Sequence, residues 1–345
     1  QRNGPYTPIT LDENYGKANP TKGAQSESYG RVEVPAEFSL AAFTAKEGLA
    51  ALERLKGGPF TLTISLDPPH PPMMVSEPYF SRYAPEKISV PSSIAGPGTN
   101  SPYADRASKE APGYRDPKKI QQMTSIYYGM VAEIDDWVGR ILKRLDELGL
   151  AENTLVVFTS DHGEQLGEHG LHGKFVFHEG SVRVPLLLRL PGVIPSGTVV
   201  DAPTSHLDLF PTILDYLGRP GHAAEGRNLR PLIEGRESGE DRIAVSEWPS
   251  NVIPGFMLCA GRWKLIYGRS ADATSLDALY DLQADPHELN NLIGRNPNRE
   301  KSRAEVTRLK AILVEWLTRT KSPHLEGVKA RAVLAETAGS PTKQR

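Results

Sequence analysis

Apolar residues recur along this chain at two different spacings, and the change of spacing near residue 236 divides it. Met123, Tyr127, Met130, Ile134, Trp137, Ile141, Leu145 and Leu148 step by three or four. That is the stripe of one amphipathic helix, and Gly149 is placed to cap it. The Ala- and Leu-rich residues 38–56 predict a second helix, stopped by Gly57-Gly58-Pro59. A third is predicted over about 206–218, with Ser205 as N-cap, Gly218 at its end, and Leu207, Phe210, Leu214 and Leu217 as the inner face. Between them lie short apolar runs at 60–66, 154–159 and 185–190, each predicting a strand. Strands alternating with helices predict an α/β fold, with a mainly parallel or mixed sheet flanked by helices.

Beyond about residue 236 the units shorten. Pieces at 243–246, 256–260, 263–267 and 278–281 read as strands, with a hairpin turn at Gly261-Arg262. Residues 301–319 read as one helix with Val306, Leu309, Leu313 and Trp316 or Leu317 facing inward. The expected organisation is a larger domain over 1–235 and a small α+β subdomain over 236–345, an antiparallel sheet with a covering helix. Residues 1–36 and 84–116 read as loop, and the tail from about 321 as polar and frayed.

Composition narrows the function classes. Lys plus Arg number 40 and Asp plus Glu 42, a formal net charge of -2. Bulk charge therefore points to no nucleic-acid partner and no membrane surface. No run approaches the roughly 18 apolar residues of a membrane span. The single cysteine, Cys259, leaves no internal disulfide framework and no thiolate zinc cage. Compartment and oligomeric state are not legible.

Candidate chemistry gathers at strand ends, where ligands collect in such sheets. The densest cluster runs from Thr159 to Lys174 and holds Asp161, His162, Glu164, Glu168, His169, His172 and Lys174 among glycines. A carboxylate and an imidazole there can meet one cation, and Lys174 can meet an anion. The alternative is a solvated loop with incidental histidines, a weaker account of so many at one strand end. His70, rigid between two Pro-Pro pairs, suits general-acid work. His178, Glu179 and Arg183 read as structural braces, and Cys259 as a small buried hydrophobe.

In order, the segments Asp67-Pro68-Pro69-His70, Thr159-Ser160-Asp161-His162-Gly163, Gly167-Glu168-His169-Gly170 with Lys174, and Arg183-Val184-Pro185 with Pro191-Gly192 resemble the sulfatase family of the alkaline-phosphatase superfamily. Residues 206–217, Leu279-Tyr280-Asp281-Leu282, Asp285-Pro286 and Glu288-Leu289-Asn290-Asn291-Leu292 extend the resemblance. It implies an alkaline-phosphatase-like fold and hydrolysis of a sulfate monoester, on a small molecule or a glycan. Asp161 and His162 would be metal ligands, Asp161 also helping to activate the nucleophile. Lys174, thirteen positions after Asp161, would hold a sulfate oxygen and steady the leaving group. His70 would protonate the departing alcohol. The implied metal is calcium, with magnesium or manganese as alternatives.

The family nucleophile is a formylglycine formed in a Cys/Ser-x-Pro-x-Arg motif, and no such motif occurs in the chain. An early Asp pair and a Lys-x-His motif are missing too. The economical expectation is a chain entered mid-domain, inactive by itself, with its nucleophile on a preceding segment. The rival reading keeps the fold and exchanges sulfate for a phosphonate or phosphodiester; Lys174 favours sulfate in that comparison. A non-catalytic protein with a vestigial site is the remaining alternative.

Overall fold

The computed structural model describes residues 29–109, 112–222, 224–248, 255–273 and 275–335. In chain order its main elements are β1 (Tyr29–Val32), α1 (Leu40–Leu55), β2 (Met73–Ser76), α2 (Ala104–Lys109), α3 (Pro117–Glu147), β3 (Val156–Thr159), α4 (Glu179–Val182), β4 (Leu186–Arg189), α5 (Leu209–Tyr216) and α6 (Arg230–Ile233). There follow β5 (Ile243–Glu247), β6 (Phe256–Ala260), β7 (Trp263–Tyr267), β8 (Ala278–Asp281), α7 (Arg303–Arg319) and α8 (Leu325–Ala330). They fall into two compact units: the described residues of 29–94, 112–154 and 166–173 in the first, and those of 95–109, 155–165 and 174–335 in the second.

In the first unit the long helix α3 organises the core. Asp116 caps it by accepting from Lys118 N–H at 3.0 Å, and Pro117 occupies its first turn, where no amide partner is needed. Its stripe buries Ile120, Met123, Ile126 and Met130 with Tyr29, Met73 and Val75. Further along, Trp137 packs on Ala41, Ala42 and Ala45 of α1. Those alanines are small because the two helices approach closely. Gly129 meets a different neighbour, the segment after β2: a Cβ there would lie 2.5 Å from the Tyr79 carbonyl oxygen.

Strands β1 and β2 pair in parallel. Neither emerged from periodicity: β1 lies in the stretch read as loop, and four residues are too few to show alternation. The rest of the expected loop, residues 1–28, lies outside the described residues. The run 60–66, expected as a strand, joins no ladder among the described residues. Its apolar composition suits a strand, but a strand also needs a hydrogen-bonded neighbour.

In the second unit β3 and β4 form an antiparallel ribbon, with Val156 opposite Arg189 and Thr159 opposite Leu186. The ribbon is apolar yet open: Phe158 is 38% and Leu187 58% exposed. The helix at 206–216 starts with a capping box between Ser205 and Asp208, as its sequence suggests. Its expected inner face is a correction. Leu207, Phe210 and Leu217 are exposed, and Thr212 is the buried residue of α5.

The C-terminal sheet agrees with its sequence reading. β5-β6-β7-β8 is an antiparallel meander. Gly261 turns the β6–β7 hairpin with φ +56°, a region glycine enters freely. Phe256, Leu258, Leu265, Tyr267 and Leu279 share a core with Val306, Leu309, Leu313 and Leu317 of α7. Strand alternation sends Met257, Lys264 and Tyr280 to the opposite face, where they are also buried.

The tail corrects another expectation, because α8 follows residue 321 and Arg331 is 2% exposed. Its guanidinium pairs with Asp277 at 2.9 Å and donates to the carbonyls of Ser270, Ala273 and Ser275. Residues 336–345 lie outside the described residues.

Leu313 has no exposed surface and sits between sheet and helix. We expect Leu313→Ala to cost about 2–5 kcal/mol in urea unfolding; a loss well under 1 kcal/mol would contradict this packing.

Candidate active site

The segment after β3 turns sharply. Gly163 N–H donates to the Ser181 carbonyl at 2.8 Å, and a Cβ on Gly163 would lie 2.2 Å from the Gly180 oxygen. Only glycine permits this backbone approach, which seats residues 161 and 162 above the start of α4. Asp161 Oδ1 accepts from the His162 amide at 2.9 Å. Asp161 Oδ2 lies 3.5 Å from His162 Nε2. The His162 Nδ1 is 2.9 Å from the Gly163 carbonyl oxygen. A carbonyl only accepts, so Nδ1 is placed to donate to it, and Nε2 is the nitrogen beside the carboxylate. This is the arrangement in which histidine binds a metal while its other nitrogen is held by a backbone oxygen. The donor pair therefore fits a divalent cation, and the remaining ligands would come from water, substrate or residues beyond this pair.

Asp161, His162 and Lys174 line one cleft of the second unit, with a volume of about 2050 Å³. Phe175, Trp248 and residues of β4 contribute to its walls. The Lys174 ammonium lies 5.7 Å from the centre of the Phe175 ring, which is tilted against Trp248 at 5.0 Å. Phe175 has φ +73°, a strained setting for a bulky side chain.

The dense sequence cluster is divided. Asp161, His162 and Lys174 belong to the second unit, whereas Glu168, His169 and His172 belong to the first. His169 is buried, its amide donating to Ser93 Oγ at 2.9 Å, and His172 stacks on Tyr114 with ring centres 4.0 Å apart. His70 also belongs to the first unit, exposed, with its amide donating to the Asp67 carbonyl at 3.1 Å. Its Nδ1 lies 2.8 Å from the Pro71 carbonyl oxygen.

Sequence reasoning missed a charge cluster on the second face of the C-terminal sheet. Lys264 has no exposed surface, and its ammonium lies 2.8 Å from Glu288 and 2.5 Å from Glu179. His178 Nδ1 is 3.3 Å from the other Glu288 oxygen. Burial opposes charge on Lys264, but the facing carboxylates outweigh it and hold its pKa above the usual lysine value. Burial likewise opposes charge on Glu288, and Lys264 and His178 outweigh it, holding its carboxyl well below the usual range. Glu179 and His178 thus brace the fold, as expected. Arg183 is a loose brace at most, exposed and 3.9 Å from Glu179.

The sulfatase family model matches residues 2–219, nearly two thirds of the chain. The chain belongs to the sulfatase family. A second model, for the C-terminal region of N-sulphoglucosamine sulphohydrolase, matches residues 167–315. Among curated relatives, the multifunctional alkaline phosphatase superfamily protein PehA of Trinickia caryophylli is 33% identical over 76% of this chain and 57% of its own length. The choline-sulfatase of Rhizobium meliloti (strain 1021) is 31% identical over 77% of this chain and 53% of its own. The chain thus spans about half the length of these relatives. The solved phosphonate monoester hydrolase SpPMH of Silicibacter pomeroyi superimposes with a TM-score of 0.74 and 26% identity, covering 92% of this chain and 65% of that one. The fold is alkaline-phosphatase-like α/β, with mixed strand directions and the small antiparallel sheet at its C-terminal end. Among the described residues no helix is long and apolar enough to cross a membrane.

The Glu288 and Lys264 environments set a pH window. The depressed Glu288 contributes stability above the unfolded carboxylate pKa of about 4.3, lost as pH falls further. The raised Lys264 contributes below about 10.4, lost as pH rises through its folded value. Thermal melts should therefore show falling stability outside these limits. Lys264→Met should cost about 3–5 kcal/mol at neutral pH by stranding Glu288, and the gap to wild type should narrow in acid. A gap independent of pH would refute the coupling.

Proposed function

We propose that the protein carrying this chain hydrolyses a sulfate monoester. The observation that carries the reading is the shared cleft of Asp161, His162 and Lys174, in which His162 turns Nδ1 to the Gly163 carbonyl and Nε2 to the Asp161 carboxylate. In this reading Asp161 and His162 would hold a divalent metal, with calcium first and magnesium or manganese as alternatives. When bound, the cation supplies Lewis-acid stabilisation of the negative charge on the reacting group. The Lys174 ammonium donates to a non-bridging oxygen and to the leaving oxygen as charge builds there. The family resemblance assigns the proton for the departing alcohol to His70, whose Nδ1 lies 2.8 Å from the Pro71 carbonyl oxygen. The nucleophile, a formylglycine in this reading, is supplied from outside these 345 residues. Within them two sequences come near that motif, Ser76-Glu77-Pro78-Tyr79-Phe80 and Ser89-Val90-Pro91-Ser92-Ser93, with Phe and Ser respectively in place of Arg.

The similarity to SpPMH and to PehA favours a second reading, hydrolysis of a phosphonate monoester or phosphodiester. Lys174 does not separate the two. Sulfate monoesters, phosphonate monoesters and phosphodiesters are all tetrahedral monoanions, and an ammonium serves each.

The test compares 4-nitrophenyl sulfate, bis(4-nitrophenyl) phosphate and 4-nitrophenyl phenylphosphonate on the longest natural chain carrying these residues. We expect sulfate to be turned over fastest, and Lys174→Met to lower kcat roughly 10²–10³-fold. Faster diester or phosphonate cleavage would install the second reading, and no turnover of any ester would end both. The 345-residue chain alone should be inactive on all three.

The metal assignment is checked by titrating calcium into this chain calorimetrically. Asp161→Ala should weaken binding by at least about tenfold; unchanged affinity would move the ligand role elsewhere.

A further inference from the structure

The backbone around Lys174 is held from outside. Residues 174–178 have no helix or strand ladder of their own. Phe175 sits in the left-handed region at φ +73°, a conformation that local preference does not maintain. Three side chains from elsewhere in the second unit grip this strap by its peptide groups, and a fourth holds the first amide of α4 where the strap ends. Arg106 Nη1 on α2 donates to the Lys174 carbonyl at 2.6 Å. Tyr103 Oη, just before α2, accepts from Phe177 N–H at 2.9 Å. Lys264 Nζ on β7 donates to the Phe177 carbonyl at 3.0 Å. Glu288, after β8, accepts from Glu179 N–H at 2.7 Å.

The chemistry of these bonds is directional. They fix where the strap's peptide planes lie, and therefore the origin of the Lys174 side chain. A lysine has four rotatable bonds, so its ammonium is placed only as well as its backbone is. Lys264 and Glu288 are committed to each other by charge, which keeps both donor and acceptor in place on the buried face of the sheet. Through them the C-terminal sheet is mechanically linked to a residue of the cleft.

We propose that Arg106, Tyr103 and the Lys264–Glu288 pair are positioning residues that set where the Lys174 ammonium meets the anionic group of the substrate. This rests on the oxyanion role given to Lys174 above. It adds that the role depends on groups that never touch substrate.

The test is a double-mutant cycle read by binding of inorganic sulfate to the 345-residue chain, with thermal melting alongside. Lys264 and Glu288 variants risk unfolding, so the cycle uses the milder Arg106→Met and Tyr103→Phe. Each should weaken sulfate binding roughly three- to tenfold, and Arg106→Lys, which keeps a donor, should recover most of the loss. In a Lys174→Met background neither should cost anything further, because the group they position is gone. In the longer chain the same variants should lower kcat/KM roughly ten- to a hundredfold, with the part seen in sulfate binding appearing as a raised KM and the rest as a lowered kcat. Equal losses with and without Lys174 would show a merely structural role and overturn the proposal. Binding that depends on Lys174 but ignores Arg106 and Tyr103 would overturn it while sparing the assigned role of Lys174. Sulfate binding indifferent to Lys174, or absent from the wild type, would remove that role and the strap with it.

Discussion

An ammonium group with no exposed surface dictates much of the second unit. Lys264 lies on the face of the sheet turned away from α7, where a lysine would ordinarily reach water. Here the strap of residues 174–179 and the loop after β8 cover it, and Glu288 and Glu179 supply the counter-charge. Removing the charge from water costs more than any single hydrogen bond returns, so the cluster must be nearly complete to be tolerated. That requirement ties three stretches of chain far apart in sequence to one point. One of those stretches begins at Lys174, so a demand of electrostatics is also a constraint on the cleft.

The parts of this architecture written in periodic spacing were legible from sequence. The stripe of α3, the meander β5–β8 and the inner face of α7 follow because each repeats a pattern over many residues. Strands β1 and β2 do not repeat anything; they exist because they find each other across forty intervening residues. The run 60–66 errs in the opposite direction, having strand composition and no ladder. The face of α5 shows the limit of amphipathic reasoning. Leu207, Phe210 and Leu217 do form a stripe, but a stripe predicts only that something should cover it, not that anything among the described residues does.

Asp161, His162 and Lys174 were readable because polar groups and glycines so dense at the end of an apolar strand have little structural use. Their placement along one cleft follows from the Gly163–Gly180 contact and from the strap. Lys264 and Glu288 were unreadable because strand alternation marks position 264 as the outer face. Nothing in the sequence tells that this face is also covered. His70 was singled out by its proline neighbours, and its ring is oriented by one of them, Pro71, through a backbone carbonyl rather than through rigidity alone.

Arg331 places a different kind of demand on the molecule. Its guanidinium fills the space beneath Gly268, where even a Cβ would collide with it, and satisfies carbonyls of the β7–β8 connection that lie some sixty residues earlier. During synthesis that connection emerges from the ribosome long before its partner exists. The meander can form hairpins early, but the β7–β8 connection waits, its peptide oxygens facing water, until nearly the last described residues have appeared. Backbone groups of the C-terminal lobe thus depend on a side chain made some sixty residues later.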